Sequence, residues 1–195
     1  ISGGLPLATI STNDFKNGMT IIFRDDLYDI VEFQIVKPGK GGAFVRTKMQ
    51  KVKTGQVLEH TFDSKDKVEQ AMIEKKAMEY LYRDGDSFIF MDQETYEQEG
   101  VNLELMEPLL AFLKENTVCN FKLHQGEFLQ VTLPDFMIFT VVETSPYMKG
   151  STATGGPKPA VIETGTTVNV PVFVTEGEKI RIDTRTGKYL ERAND

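Results

Sequence analysis

The sequence predicts an all-β protein assembled from small barrels. Three observations predict it: short apolar runs with period-two alternation recur along the chain, turn pairs rich in Gly and Asp separate them, and only one stretch has helical spacing. A chain of 195 residues has room for one large domain or two to three small ones.

Residues 19–23 are apolar and β-branched, Asp25-Asp26 turns, and residues 28–36 alternate. Pro38-Gly39-Lys40-Gly41-Gly42 then supplies a flexible hairpin tip, because glycine reaches positive φ without steric penalty. Residues 43–52 return with Val45, Thr47 and Met49 on one face and Arg46, Lys48 and Gln50 on the other. Thr54-Gly55 turns into residues 56–62, and so many short strands close together imply an SH3-like barrel.

A second unit begins with residues 75–82, which place Met78, Tyr80 and Tyr82 on one face, and continues through Asp84-Gly85 into residues 87–91. Residues 104–115 read as the one helix, with Leu105, Leu109, Phe112 and Leu113 as its apolar stripe and Pro108 tolerable only in its first turn. Strands at 118–123 and 127–133 around Gln125-Gly126 complete an OB-type barrel. The third unit has a strand at 137–144, a Gly/Pro/Ser/Thr-rich loop at 145–159, and strands at 166–170, 172–174, 179–183 and 189–192. The expected domains are therefore 8–72, 73–137 and 138–195. Residues 1–7, with Gly3-Gly4 and no initiator Met, read as a disordered or artificially appended end.

Composition narrows the chemistry. No apolar run approaches the roughly 20 residues that span a bilayer, so no membrane partner is expected, and no secretory signal is evident. One cysteine, Cys119, makes no intramolecular disulfide and fits a reducing cytoplasm. With His60 and His124 it offers little to a soft metal, so no metal or other cofactor is expected. Proximity of Cys119 and His124 in sequence does not make a catalytic pair, and both read as ordinary strand residues.

The formal net charge of -7 conceals an asymmetry. Residues 1–72 hold ten Lys/Arg against nine Asp/Glu, residues 73–138 five against thirteen, and residues 139–195 seven against seven. Residues 33–58 contain Lys37, Lys40, Arg46, Lys48, Lys51 and Lys53 and no acid. A basic hairpin ending in Pro, three Gly and one Lys suits a finger that enters a phosphate-lined space. On the pattern alone the plainer reading, solubilising turn and strand residues, is somewhat favoured, since charge runs are usually just solvated. A Walker loop is excluded, since Gly39-Lys40-Gly41-Gly42 lacks the spacing, the following Ser/Thr and the helix. Tyr80, Tyr82, Phe88 and Phe90 could stack bases, but their acidic setting favours core packing.

The run Lys37-Pro38-Gly39-Lys40-Gly41-Gly42-Ala43-Phe44-Val45-Arg46-Thr47-Lys48 resembles the tip-loop motif of the bacterial-type translation elongation factor P family. Lys158-Pro159-Ala160, Gly165, Val170-Pro171, Val174 and Gly177 resemble that family's C-terminal signature, and Ile182-Asp183-Thr184-Arg185-Thr186-Gly187 follows it. The resemblance spans about residues 9–193. It implies three small barrels in an L shape that mimics tRNA, an SH3-like one followed by two OB folds.

It further implies a monomeric, non-enzymatic factor that binds the ribosome beside the peptidyl-tRNA and relieves stalling at consecutive prolines. Lys40 would be the tip residue, flanked by Pro38, Gly39, Gly41 and Gly42, and a separate lysine-modifying enzyme could extend it covalently. RNA contacts would come from Lys37, Arg46, Lys48, Lys53, Tyr189 and Arg192, and from Gly150, Ser151 and Thr152 in the loop that approaches the exit-site codon. That loop departs from the family's Gly-Asp-Thr: Lys149-Gly150-Ser151-Thr152 keeps a hydroxyl and loses the carboxylate. A specialised paralogue or a general RNA-binding protein is the alternative. An enzyme using Lys40 as a Schiff-base nucleophile would need a buried pocket, which a glycine-flanked tip does not offer.

Overall fold

The computed structural model describes residues 8–146 and 156–193. The described residues of Ile1–Lys76 together with Phe121–Gln130 form one compact unit, and those of Ala77–Asn120 with Val131–Asp195 a second. The described residues form three antiparallel sheets, as expected of an all-β protein.

The first sheet contains β1 (Ala8–Ser11), β2 (Thr20–Phe23), β3 (Asp26–Val36), β4 (Phe44–Lys51), β5 (Val57–Asp63) and β6 (Lys67–Gln70), in the order β1-β6-β2-β3-β4-β5. Its two edges are drawn together where Thr12 donates its amide to Asp66 O and its hydroxyl to Asp63 O. The alternation read from β4 holds: Val45, Thr47 and Met49 are buried, whereas Arg46, Lys48 and Gln50 face solvent. Val45 and Met49 join Phe15, Ile21, Ile30 and Phe62 in the core. Thr47 shares that interior, and its hydroxyl has no hydrogen-bond partner among the described residues.

The middle sheet is β7 (Glu74–Asp84), β8 (Ser87–Asp92), β9 (Gln98–Asn102), β10 (Val118–His124) and β11 (Glu127–Thr132), ordered β11-β10-β7-β8-β9. Met78, Tyr80, Phe88 and Phe90 pack inward, as the acidic setting suggested. Tyr82 does not; it is half-exposed. The pairing slips between Tyr80↔Phe90 and Tyr82↔Ile89, so a β-bulge at Leu81 breaks the period and turns Tyr82 to the other face. The last sheet is β12 (Phe136–Thr144), β13 (Lys158–Ile162), β14 (Thr167–Val170), β15 (Lys179–Asp183) and β16 (Lys188–Arg192), ordered β14-β13-β12-β15-β16. Its core includes Phe139, Val141, Ile162, Ile180 and Ile182.

The helix expected at 104–115 is a single turn, α1 (Leu103–Met106), followed by a 3-10 turn at Glu107–Leu109. Asn102 caps it by accepting from Leu105 N. Pro108 has no N–H to return to the preceding turn, so the α pattern stops before it. The rest of the stripe packs without helical form. Ala111 O accepts both the Thr164 and Thr166 hydroxyls at 2.7 Å, Lys114 Nζ donates to Ile138 O at 2.6 Å, and Phe112 lies 5.7 Å from Phe139.

Residues 172–174 are a turn rather than a strand, closed by Val174 N on Pro171 O. Pro171 can donate nothing to a ladder. Conversely β1, β6, β9 and β13 are strands the sequence did not announce: three are short and polar, and β13 contains Pro159.

Two of the three inward positions of β4 should respond in opposite senses. Met49→Ala should cost about 2–5 kcal/mol of unfolding free energy. Thr47→Val should add about 1 kcal/mol, because it removes a buried hydroxyl without a partner. Urea denaturation followed by far-UV circular dichroism measures both.

Candidate nucleic-acid interface

The hairpin of β3 and β4 is built by continuous antiparallel pairing, from Tyr28↔Lys51 to Val36↔Phe44. β5 backs β4 on its other side, from Gln50↔Val57 to Phe44↔Asp63. A strand held on both edges is stiff, and residues 37–43 extend beyond its last rung. Lys37, Pro38, Gly39, Lys40, Gly41 and Gly42 are all exposed. Gly41 has φ +118, a conformation L side chains rarely adopt, and no atom lies within 4 Å of where a Cβ would stand on Gly39 or Gly42.

Register sorts the basic residues in a way their spacing does not reveal. At the base, Lys51 Nζ lies 2.7 Å from Asp26 Oδ2, and that hydrogen bond raises the ammonium above its ordinary pKa. Lys53 lies 3.6 Å from Glu127, an exposed contact worth little. One step up, Lys48 stands between Glu32 on β3 and Glu59 on β5. Those two acids fall just outside the acid-free segment, so the sequence hides their company. Arg46 is flanked instead by the neutral Gln34 and Thr61, and its guanidinium lies 5.6 Å from the Phe44 ring. Lys37 and Lys40 have no ion pair among the described residues. Positive charge therefore becomes less compensated from base to tip.

The remaining expected contacts fall in the third sheet. Gly150, Ser151 and Thr152 lie outside the described residues. Tyr189 packs against the C-terminal core, and burial raises its phenol. With Lys188, Pro171 and Phe173 it lines a cleft of about 840 Å³ that has no carboxylate among its described lining residues. Phe173 is 43% exposed and escaped the sequence reading. Arg192 is held by its own domain: Nε is 3.2 Å from Glu178 Oε2, Nη2 donates to Phe173 O at 2.9 Å, and the guanidinium lies 4.5 Å from the Phe173 ring centroid. Nearby, the Arg185 guanidinium holds the Asp183 carboxyl below the usual carboxylate range, with contacts of 3.1 Å and 2.9 Å.

Cys119 and His124 sit on one strand at positions of opposite parity. Cys119 is buried with Phe121 and Leu123, and His124 is not. Burial pushes the Cys119 thiol up to about 12, so it is no nucleophile near neutral pH.

Three domain families match the chain in order. Residues 11–68 match the elongation factor P (EF-P) KOW-like domain, residues 73–131 the elongation factor P (EF-P) OB domain, and residues 137–192 the elongation factor P C-terminal domain. Elongation factor P of Thermoanaerobacter sp. (strain X514) is 50% identical over 183 residues, 94% of this chain and 99% of the relative. That of Moorella thermoacetica (strain ATCC 39073 / JCM 9320) is 50% identical over 184 residues, 94% of this chain and all of the relative. Among solved structures, eukaryotic translation initiation factor 5A from Methanococcus jannaschii shares the fold with a TM-score of 0.52 at 24% identity, covering 68% of this chain and 96% of its own.

Two titrations test this geometry. The contribution of a depressed carboxyl is present above its ordinary range and is lost as pH falls through the lowered value. Arg185→Gln should therefore move the Asp183 carboxyl titration, followed by NMR, back up toward 3.8. At pH 8 about one Cys119 in ten thousand is thiolate, so a thiol reagent should label the native chain far more slowly than the urea-unfolded one.

Proposed function

The chain belongs to the elongation factor P family, and from that premise we propose that it binds the ribosome beside the peptidyl-tRNA and promotes peptide-bond formation at consecutive prolines through Lys40. It is a translation elongation factor. The observation that carries the finer reading is the gradient along the hairpin: acids accompany Lys51 and Lys48, while Lys37 and Lys40 are exposed and unpaired.

The gradient suits delivery into RNA. A finger uniformly basic along its length would bind phosphate anywhere, whereas one compensated at its base engages most strongly at its end. Lys40 brings three rotatable donors on a flexible stem, and the adjacent glycines admit close approach of backbone.

Proline is a constrained nucleophile, so peptide transfer to it depends on how well the peptidyl-tRNA end is placed. Holding a reactant in productive geometry contributes up to about 7–11 kcal/mol in favourable cases. Contact alone supplies this, and the chain performs no covalent step; the bond-making groups belong to the ribosome. An extension added to Lys40 by a separate enzyme would lengthen the reach while keeping the fold, since the Lys40 side chain packs against nothing the barrel requires.

On this reading the domains divide at 8–72, 73–137 and 138–195, the factor works as a cytoplasmic monomer, and Ser151 replaces a carboxylate in the codon-facing loop.

Lys40→Ala should leave the thermal unfolding midpoint within about 2 °C of the parent, since an exposed surface substitution changes stability by under about 0.5 kcal/mol. The same variant should lose rescue of Pro-Pro-Pro synthesis in a reconstituted translation reaction. Full rescue by the variant would refute the role of the tip. Intact-mass measurement of protein from its native host, with any increment mapped to Lys40, reports on the extension.

A further inference from the structure

The first compact unit contains a cleft of about 370 Å³ where three stretches distant in sequence meet. Lys16 comes from the loop before β2, Lys75 from the start of β7 and Lys122 from β10. One carboxylate, Asp29, lines the same cleft, and it is already engaged. It accepts the Thr20 hydroxyl at 2.5 Å and lies 3.4 Å from Lys122 Nζ. Lys16 and Lys75 are exposed and have no carboxylate partner among the described residues.

Three lysines around one occupied carboxylate stand out in a chain with 22 Lys/Arg against 29 Asp/Glu. Acids are plentiful, yet a single carboxylate accompanies three lysines in the lining of this cleft. Like charges held at one cleft repel unless an anion accompanies them. Asn17 adds a neutral donor to the wall. Beside it Gly18, at φ +84, has nothing within 4 Å of where a Cβ would stand, which keeps that wall open.

We propose that this cleft is a phosphate-binding site, separate from the hairpin tip, in which Lys16, Lys75 and Lys122 share one phosphoryl group. Lys122 holds both Asp29 and the ligand, and Lys16 and Lys75 reach it from the loop before β2 and the start of β7. The phosphate comes either from an RNA backbone or from a free polyphosphate. The RNA source rests on the translational reading; the site itself does not.

The test uses the full chain without ribosomes. Sodium pyrophosphate is titrated at low ionic strength and followed by amide chemical shifts. In parallel, affinity for a tRNA-sized RNA duplex is measured against salt concentration. The proposal expects saturable shifts at Lys16, Gly18, Lys75 and Lys122, lost in the Lys16→Gln/Lys75→Gln double variant. It also expects the salt slope for RNA to fall by about 2 in that variant, roughly one for each lysine removed.

Lost pyrophosphate shifts with an unchanged RNA slope support the site and assign it to a free polyphosphate. Non-saturating shifts spread over all lysines, the same in the double variant, overturn it. Both substituted side chains are exposed, and an unchanged circular dichroism melt verifies the fold. A Lys40→Ala chain should keep the pyrophosphate shifts, so this result and the outcome of the Pro-Pro-Pro assay are independent.

Discussion

Pairing of β4 with strands on both of its sides is the constraint on which the candidate site depends. With β3 on one edge and β5 on the other, β4 can slip by one residue only by carrying Val45 and Met49 into water and Arg46 and Lys48 into the core. Fully burying one aliphatic side chain contributes about 1.5–3 kcal/mol, and burying an unpaired charge costs more, so register is enforced strongly. Enforced register places Lys48 between Glu32 and Glu59 and Arg46 between Gln34 and Thr61. It also projects residues 37–43 past the last rung. Position and electrostatics of the tip thus follow from one packing decision in the barrel interior.

The same logic explains how an acidic chain can present basic surfaces. Net charge sets the far field, but contact with RNA is decided within about 10 Å, the Debye length near 0.1 M salt. At that range the arrangement of neighbours matters more than their total. At the hairpin tip, and among the described residues lining the cleft beside Tyr189 and Phe173, the fold keeps acids away; around Asp29 it sets three lysines against one carboxylate. Acids pair with cations elsewhere, as Asp26 does with Lys51 and Glu178 with Arg192.

Departures from the sequence reading share one cause: local pattern was interrupted by a residue whose effect depends on its surroundings. Tyr82 follows Met78 and Tyr80 in strict alternation, yet a bulge at Leu81 turns it outward. Leu105, Leu109, Phe112 and Leu113 have helical spacing, but Pro108 ends the helix and the stripe is used by packing of Phe112 on Phe139 and by Ala111 accepting two threonine hydroxyls. The strands β1 and β6 are too short and polar to be read alone; they exist because they pair with each other and with β2. For β1 and β6 the deciding partner is distant along the chain.

The sequence by itself determined the all-β class, the two faces of β4, the glycine-rich tip carrying Lys40 and, through its motifs, the family. These are local properties: side-chain alternation, turn chemistry and an unbroken string of residues carry them without reference to anything far away. Only the tertiary structure decided which cations are free. Glu32 and Glu59 are 27 positions apart and meet across Lys48 only in the sheet; Lys16, Lys75 and Lys122 become neighbours only when β10 closes beside the first barrel's loops. Coulomb interaction depends on separation in space, and separation along the chain is a poor guide to it once strands pair.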